Sequence, residues 1–172
     1  MTIEVGTFSP ISITASNISN DFDSNQIISV TASGGSGNYE FQLDGGSWQS
    51  NSIFEYVTGC EEHIVAARDV DGCIFETETS VMIMDYPKFF TPNGDGYNDT
   101  WNIKCLEDNP LAKVSIFDRF GKLLLSFKPT QNDWNGTFNG RLVPTSDYWL
   151  VASYLNSDGT ETQFRSHFTL RY

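Results

Sequence analysis

Apolar residues in this chain almost never recur at helical spacing; they alternate with polar ones in short runs broken by turns. Ile28-Ser29-Val30-Thr31-Ala32, Tyr39-Glu40-Phe41-Gln42-Leu43 and Phe164-Arg165-Ser166-His167-Phe168-Thr169-Leu170 each line one face of an extended strand with apolar or aromatic side chains. Between such runs stand Gly34-Gly35-Ser36-Gly37-Asn38, Asp44-Gly45-Gly46, Asp71-Gly72, Asn135-Gly136, Asn139-Gly140 and Asn156-Ser157-Asp158-Gly159, residues suited to tight turns. Many short, half-buried strands joined in this way predict an all-β chain built from antiparallel sandwiches. The one stretch with a helical look, residues 106–112, contains Pro110 and is predicted to be a loop.

At 172 residues, the chain has room for one large domain or two small ones. Hydrophobic residues at 39% and aromatics at 14% are enough for a packed core. The charge decides between one domain and two. Residues 1–86 carry thirteen acids against a single base, Arg68, whereas residues 87–172 carry nine of each. So sharp an asymmetry predicts two domains of about 85 residues, divided near Asp85-Tyr86-Pro87. Domains this small bury modest cores, so the second is expected to lean on Trp101, Phe117, Trp134, Tyr148 and Trp149. An acidic first half repels phosphate and argues against nucleic acid as a partner. No apolar run approaches the roughly 20 residues of a bilayer span. Met1-Thr2 leads straight into strand-like sequence, so the chain is expected to begin inside a longer protein, and a missing leader says nothing of compartment.

Little in the sequence supports catalysis. Cys60, Cys73 and Cys105 leave at least one thiol unpaired. A hairpin turning at residues 70–72 would set Cys60 opposite residue 82 and leave Cys73 roughly 30 Å away along the sheet. A disulfide needs Cα atoms within about 7 Å, so no Cys60–Cys73 bridge is expected. Zinc-ligand spacing is missing. His63 shares a strand face with Val65 and Ala67 and is expected at the core edge, while His167 alternates outward with Arg165 and Arg171. Neither has a serine or cysteine nucleophile nearby, and no G-x-S-x-G or H-E-x-x-H occurs. The chain is read as a non-enzyme.

One loop stands out. Phe89-Phe90-Thr91-Pro92-Asn93-Gly94-Asp95-Gly96-Tyr97-Asn98-Asp99-Thr100-Trp101 sets side-chain oxygens at alternate positions with glycines between them. Asn93, Asp95 and Asp99, helped by the Tyr97 carbonyl, are candidate calcium ligands, although the glutamate that closes an EF-hand is missing. Phosphate is disfavoured, because no Lys-Ser/Thr pair and no helix follow. The competing reading is a double Asx turn whose side chains bond their own backbone.

Residues 86–101 closely resemble the opening of the type B C-terminal sorting domain of the type IX secretion system, also called the gliding-motility-associated C-terminal domain of Bacteroidota. The resemblance continues through Ile116-Phe117-Asp118-Arg119-Phe120-Gly121-Lys122-Leu123, Asp133-Trp134-Asn135-Gly136, Val143-Pro144-Thr145-Ser146-Asp147-Tyr148-Trp149 and His167-Phe168-Thr169-Leu170-Arg171. It covers half the chain. Cys105 departs from it, standing where a small residue, commonly glycine, is expected. Val30-Thr31-Ala32-Ser33-Gly34-Gly35-Ser36-Gly37-Asn38-Tyr39 and Arg68-Asp69-Val70-Asp71-Gly72-Cys73 are similar to immunoglobulin-like repeats of surface adhesins.

The expectation is therefore two tandem immunoglobulin-like antiparallel β-sandwiches: an acidic adhesin-type repeat over residues 1–86 and a sorting domain over 87–172. What the resemblance implies is a secretion signal for N-terminal cargo in the same chain, read as a monomer by the translocon and an outer-membrane β-barrel shuttle. The cargo would be exported across the outer membrane, to the cell surface or beyond. Candidate recognition residues are Thr91, Pro92, Asn93, Gly94, Asp95, Gly96, Asn98 and Asp99, together with Arg165 and Arg171 on the outward face of the last strand. No cofactor is expected other than calcium. The alternative is a calcium-dependent carbohydrate-binding adhesion module, with Trp48 or Trp149 stacking on sugars.

Overall fold

The structure, a computed structural model, describes residues 9–72, 76–156 and 159–172. It divides into two compact units, Met1–Asp85 and Tyr86–Tyr172. No α-helix occurs among the described residues, and the all-β expectation holds.

The first unit is two three-stranded sheets face to face. β1 (Ser12–Asn17), β2 (Ile27–Ser33) and β4 (Ile53–Glu55) form one; β3 (Tyr39–Leu43), β5 (Glu61–Asp69) and β6 (Glu76–Ile83) form the other. All their ladders are antiparallel. Ile28 and Val30 from one sheet meet Phe41, Val65, Ala67 and Ile83 from the other in a single apolar core. Period-two alternation produces this directly, since only one face of each strand can be covered. Two polar groups tie the loops to that frame. Asp69, buried at the end of β5, accepts bonds from the Ser36 amide and hydroxyl and from the Asp71 amide, so one carboxylate gathers the Gly34–Asn38 and Asp71-Gly72 turns. His63, 3% exposed, is as expected on the Val65–Ala67 face. β5 and β6 pair Glu61 with Ile83, close to the register inferred for Cys60. Cys73 lies outside the described residues, and so does the question of its pairing.

The second unit is built on one five-stranded sheet. β7 (Phe89–Phe90), β8 (Lys113–Phe117), β9 (Leu123–Phe127), β12 (Ser146–Leu155) and β13 (Glu161–Leu170) run in the order β7-β13-β12-β8-β9. Its opposing layer is mostly irregular chain, with one short ladder of β10 (Thr137–Phe138) and β11 (Arg141–Leu142) and a single bridge between Trp101 and Trp134. The Pro110 stretch is a 3₁₀ turn, Lys104–Leu106, followed by successive tight turns. Two expectations need correction. β7 pairs parallel to β13, Phe89 with Thr169 and Phe90 with Leu170, where antiparallel pairing was expected. Trp149 is not core: β12 turns Tyr148, Leu150, Ala152 and Tyr154 inward, which leaves Trp149 45% exposed on the outer face and Phe117, its ladder partner, half-buried there.

The His63 environment makes a stability prediction for the first unit. Its Nε2 faces the Thr58 carbonyl at 2.8 Å and its Nδ1 faces an Asp44 carboxylate oxygen at 2.7 Å. With an acceptor at each nitrogen, only the imidazolium satisfies both. Burial by itself would lower the pKa of His63, but the Asp44 and Thr58 hydrogen bonds and the Asp44 and Glu61 charges together raise it above 6.5. A raised folded pKa contributes stability that is complete below the unfolded value and lost as pH climbs through the folded one. Thermal stability of the first unit should therefore fall from about pH 6.5 upward. His63→Gln should flatten that slope and cost about 1.5–3 kcal/mol at acidic pH. A pH-independent melting temperature between about pH 6 and pH 9 would refute the charged state.

Candidate recognition site

The loop at residues 91–99 is held almost entirely by its own side chains. The Asp95 amide donates to Asn93 Oδ1 at 3.0 Å and the Tyr97 amide donates to Asp95 Oδ1 at 2.8 Å, which makes two successive Asx turns. Asn93 Nδ2 donates to Asp95 Oδ2 at 2.9 Å. Both oxygens of Asp99 are occupied as well, by the Gly94 amide at 2.6 Å and the Gly96 amide at 2.8 Å. The Thr91 amide closes the loop on the Asn98 carbonyl at 2.7 Å. Gly94 and Gly96 sit at φ +80° and +92°, and a side-chain carbon added at either would meet nothing within 4 Å, so glycine is there for its backbone and not for space. Asn98 takes the left-handed region at φ 51°, which asparagine tolerates.

These bonds set the local electrostatics. The Tyr97 amide, and then the Asn93 side chain, hold the Asp95 carboxyl below its ordinary value against a smaller opposing effect of desolvation. The carboxylates thus satisfy loop amides instead of converging on a shared point. Among the described residues no group of three His, Cys, Asp or Glu side chains gathers around them.

The loop is anchored beneath its first residues. Trp101 Nε1 donates to the Pro87 carbonyl at 2.8 Å, and the backbones of Trp101 and Trp134 exchange hydrogen bonds at 2.8 and 2.9 Å. Asn102, 3% exposed, donates to the Pro129 carbonyl and to Asp133, while Thr100 donates to the other Asp133 oxygen. Asn102 and Asp133 were not singled out as a supporting pair from sequence. They stand 31 residues apart and meet only in the fold, so no local sequence signal joined them.

The two arginines separate. Arg171 donates its amide to the Phe90 carbonyl, immediately before Thr91, so it stands beside the loop. Arg165 is six residues back along β13, roughly 20 Å away, and its guanidinium donates to Gln163. The inward set of β13 is as expected for Phe168 and Leu170, with Arg165, His167 and Arg171 exposed.

Over residues 84–170 the chain matches the family described as the CHU_C type IX secretion signal domain. The chain belongs to this family. The matched stretch begins just before the second compact unit and ends just short of its last residue. No curated protein matches the chain. Membership of a signal-domain family means that the second unit serves export from the cell, and the family is not one of enzymes.

Two measurements bear on the site. An alanine at Gly136 would meet Leu170 Cδ1 at 2.9 Å and Pro92 Cγ at 3.1 Å, at a φ of +76°. Left-handed backbone alone costs about 1–2 kcal/mol for an L-residue, so Gly136→Ala should lower the melting temperature of the second unit by about 5–10 °C. Retention of the wild-type value would show that the loop base is not packed against Leu170. Millimolar calcium, by contrast, should leave the melting temperature within about 1 °C, because the loop carboxylates are already engaged. A rise of several degrees that disappears in Asp95→Ala would turn the loop into a calcium site.

Proposed function

We propose that the sorting domain is an export address for protein lying N-terminal to it, delivered through the type IX translocon by an outer-membrane β-barrel shuttle. The cargo would be an adhesin of a gliding Bacteroidota species, and the acidic first unit its last immunoglobulin-like repeat. The observation that carries this reading is the coincidence of the family match with one compact unit, which is what a transferable address requires. Two features support it. The loop at 91–99 is solvent-exposed yet tightly bonded, which suits a surface meant to be read. The first unit has the charge of a self-repelling surface module. Recognition is assigned to Thr91, Pro92, Asn93, Gly94, Asp95, Gly96, Asn98 and Asp99 with Arg171 beside them, and Arg165 as an outlying contact.

The test is transfer. A fluorescent reporter with a signal peptide at its start and residues 86–172 at its end should leave the periplasm of a type IX-competent bacterium. The same reporter without residues 86–172 should stay inside. Retention of the fused reporter, while one carrying all 172 residues is exported, would move the address boundary into the first unit.

A further inference from the structure

The stretches that define the family resemblance are far apart in sequence but share one end of the five-stranded sheet. β7 and β13 both end there, because Phe90 pairs with Leu170. β12 starts there, since Ser146 pairs with Leu170, and β8 ends there, since Phe117 pairs with Trp149. The Asn135-Gly136 turn packs against Leu170 and Pro92, and Tyr172 donates its hydroxyl to the Val143 carbonyl. Inward residues of these stretches make the core. Two of the stretches, residues 116–123 and 143–149, also line a cavity of about 160 Å³ between turn 118–120 and segment 144–146, with buried Tyr148 at its base.

One wall of that cavity is an exposed ring on a hydrogen-bonded turn. Phe120 is 80% exposed. Asp118 Oδ1 accepts the Phe120 and Lys122 amides at 2.8 and 3.0 Å, and backbone bonds from Asp118 to Lys122 and from Gly121 to Asp118 complete the turn. Four hydrogen bonds in five residues fix the backbone turn that carries this aromatic side chain in water. An aromatic next to an arginine on a fixed turn is the composition of an interface hot spot, since little backbone freedom remains to be lost on binding.

Arg119 lines the cavity together with Asp118, and two further cations, Lys122 and Arg141, lie close to it in sequence, next to the lining segments 118–120 and 144–146. The Arg119 guanidinium lies 4.8 Å from the Phe120 ring centre, and the Lys122 ammonium 4.5 Å from that of Phe138, the ladder partner of Arg141. Among the described residues none of these three cations pairs with a carboxylate. Of the nearby acids, Asp118 accepts the turn amides through Oδ1 and Asp147 accepts the Thr169 hydroxyl through Oδ1, and neither is paired with these cations. A cavity of about 150 Å³ holds a benzene-sized group, so this one takes a single ring-sized side chain.

We propose that this cleft is where the secretion machinery grips the sorting domain, by inserting one bulky apolar side chain from an acidic peptide segment between Phe120 and Tyr148. The acidic flanks of that segment pair with Arg119, Lys122 and Arg141. The proposal rests on the sorting reading above and names its docking surface.

Export of the reporter carrying all 172 residues tests it, with thermal melting as the folding control. Phe120→Ala and Arg119→Glu should each lower export at least tenfold without moving the melting temperature, while Arg119→Lys retains most of it. Leu111→Ala and Lys113→Glu, at the opposite end of the sheet, should export normally. Normal export of folded Phe120→Ala and Arg119→Glu would overturn the cleft and leave the sorting reading intact. Failure of the wild-type reporter would sink the sorting reading itself. A wild-type chain that dimerises in sedimentation, with Phe120→Ala monomeric, would give the cleft to a second copy and also overturn the proposal.

Discussion

Everything in the sorting domain is organised by Trp101 lying on Phe168. The two rings stack 4.1 Å apart at 15°, and both are essentially buried. Trp101 comes from irregular chain and Phe168 from the last strand, so this contact fastens the opposing layer to the sheet. Trp134 stands edge-on to Phe168 and to Tyr148, and Phe90 completes the cluster. Aromatic pairs of this kind add about 0.5–1.5 kcal/mol each beyond the area they bury. A layer with so few ladder hydrogen bonds needs such contacts. The indole N–H groups are satisfied by the Pro87 and Thr137 carbonyls, so the cluster brings no unmet polar cost into the core.

The acidic unit solves the same problem by other means. Its sheets carry a small core in which mostly aliphatic side chains surround Phe41. Buried Asp69 and His63 serve as fixed points from which the loops hang, one accepting several amide and hydroxyl bonds, the other bridging Asp44 and Thr58. A buried charge is tolerated only when its bonds are complete, so these bonds tie the loops to the frame. The cost is sensitivity to proton binding, which an apolar core lacks.

Strand alternation was the legible part, because it reports which side chains can be hidden whatever the partner. Ile28–Ala32, Tyr39–Leu43 and the last strand lie where their pattern puts them. Alternation does not reveal the pairing partner, so the parallel β7–β13 pair could not be read. Trp149 failed for a related reason. Aromatic residues were assigned to the core by type, whereas the phase of β12 is fixed by Tyr148, Leu150, Ala152 and Tyr154 and forces their neighbour outward. Side chains that replace backbone pairing were equally invisible. Asn109 donates to the Leu155 carbonyl and accepts the Leu155 amide, which finishes the end of β12 from 46 residues away. The candidate loop was legible as an Asx-rich turn, but its dependence on Asp99 for both glycine amides was not, since those bonds span five and three residues of irregular chain.

The shared use of one set of motifs explains why folding and recognition belong together here. Within Ile116–Leu123, Ile116 enters the core while Arg119 and Phe120 point to water; within Val143–Trp149, Val143 and Tyr148 are buried while Thr145 lines the surface. The outward residues take up their spacing only when the inward ones have closed on Trp101 and Phe168. An unfolded chain offers Phe120 and the 144–146 segment at random separation, and so offers no cleft. If the proposed cleft is the surface that is read, an address built this way would distinguish a finished domain from an unfinished one without any further sensor. The discrimination comes from the free energy of closing the aromatic cluster, so weakening that cluster should degrade recognition even when every surface residue is kept.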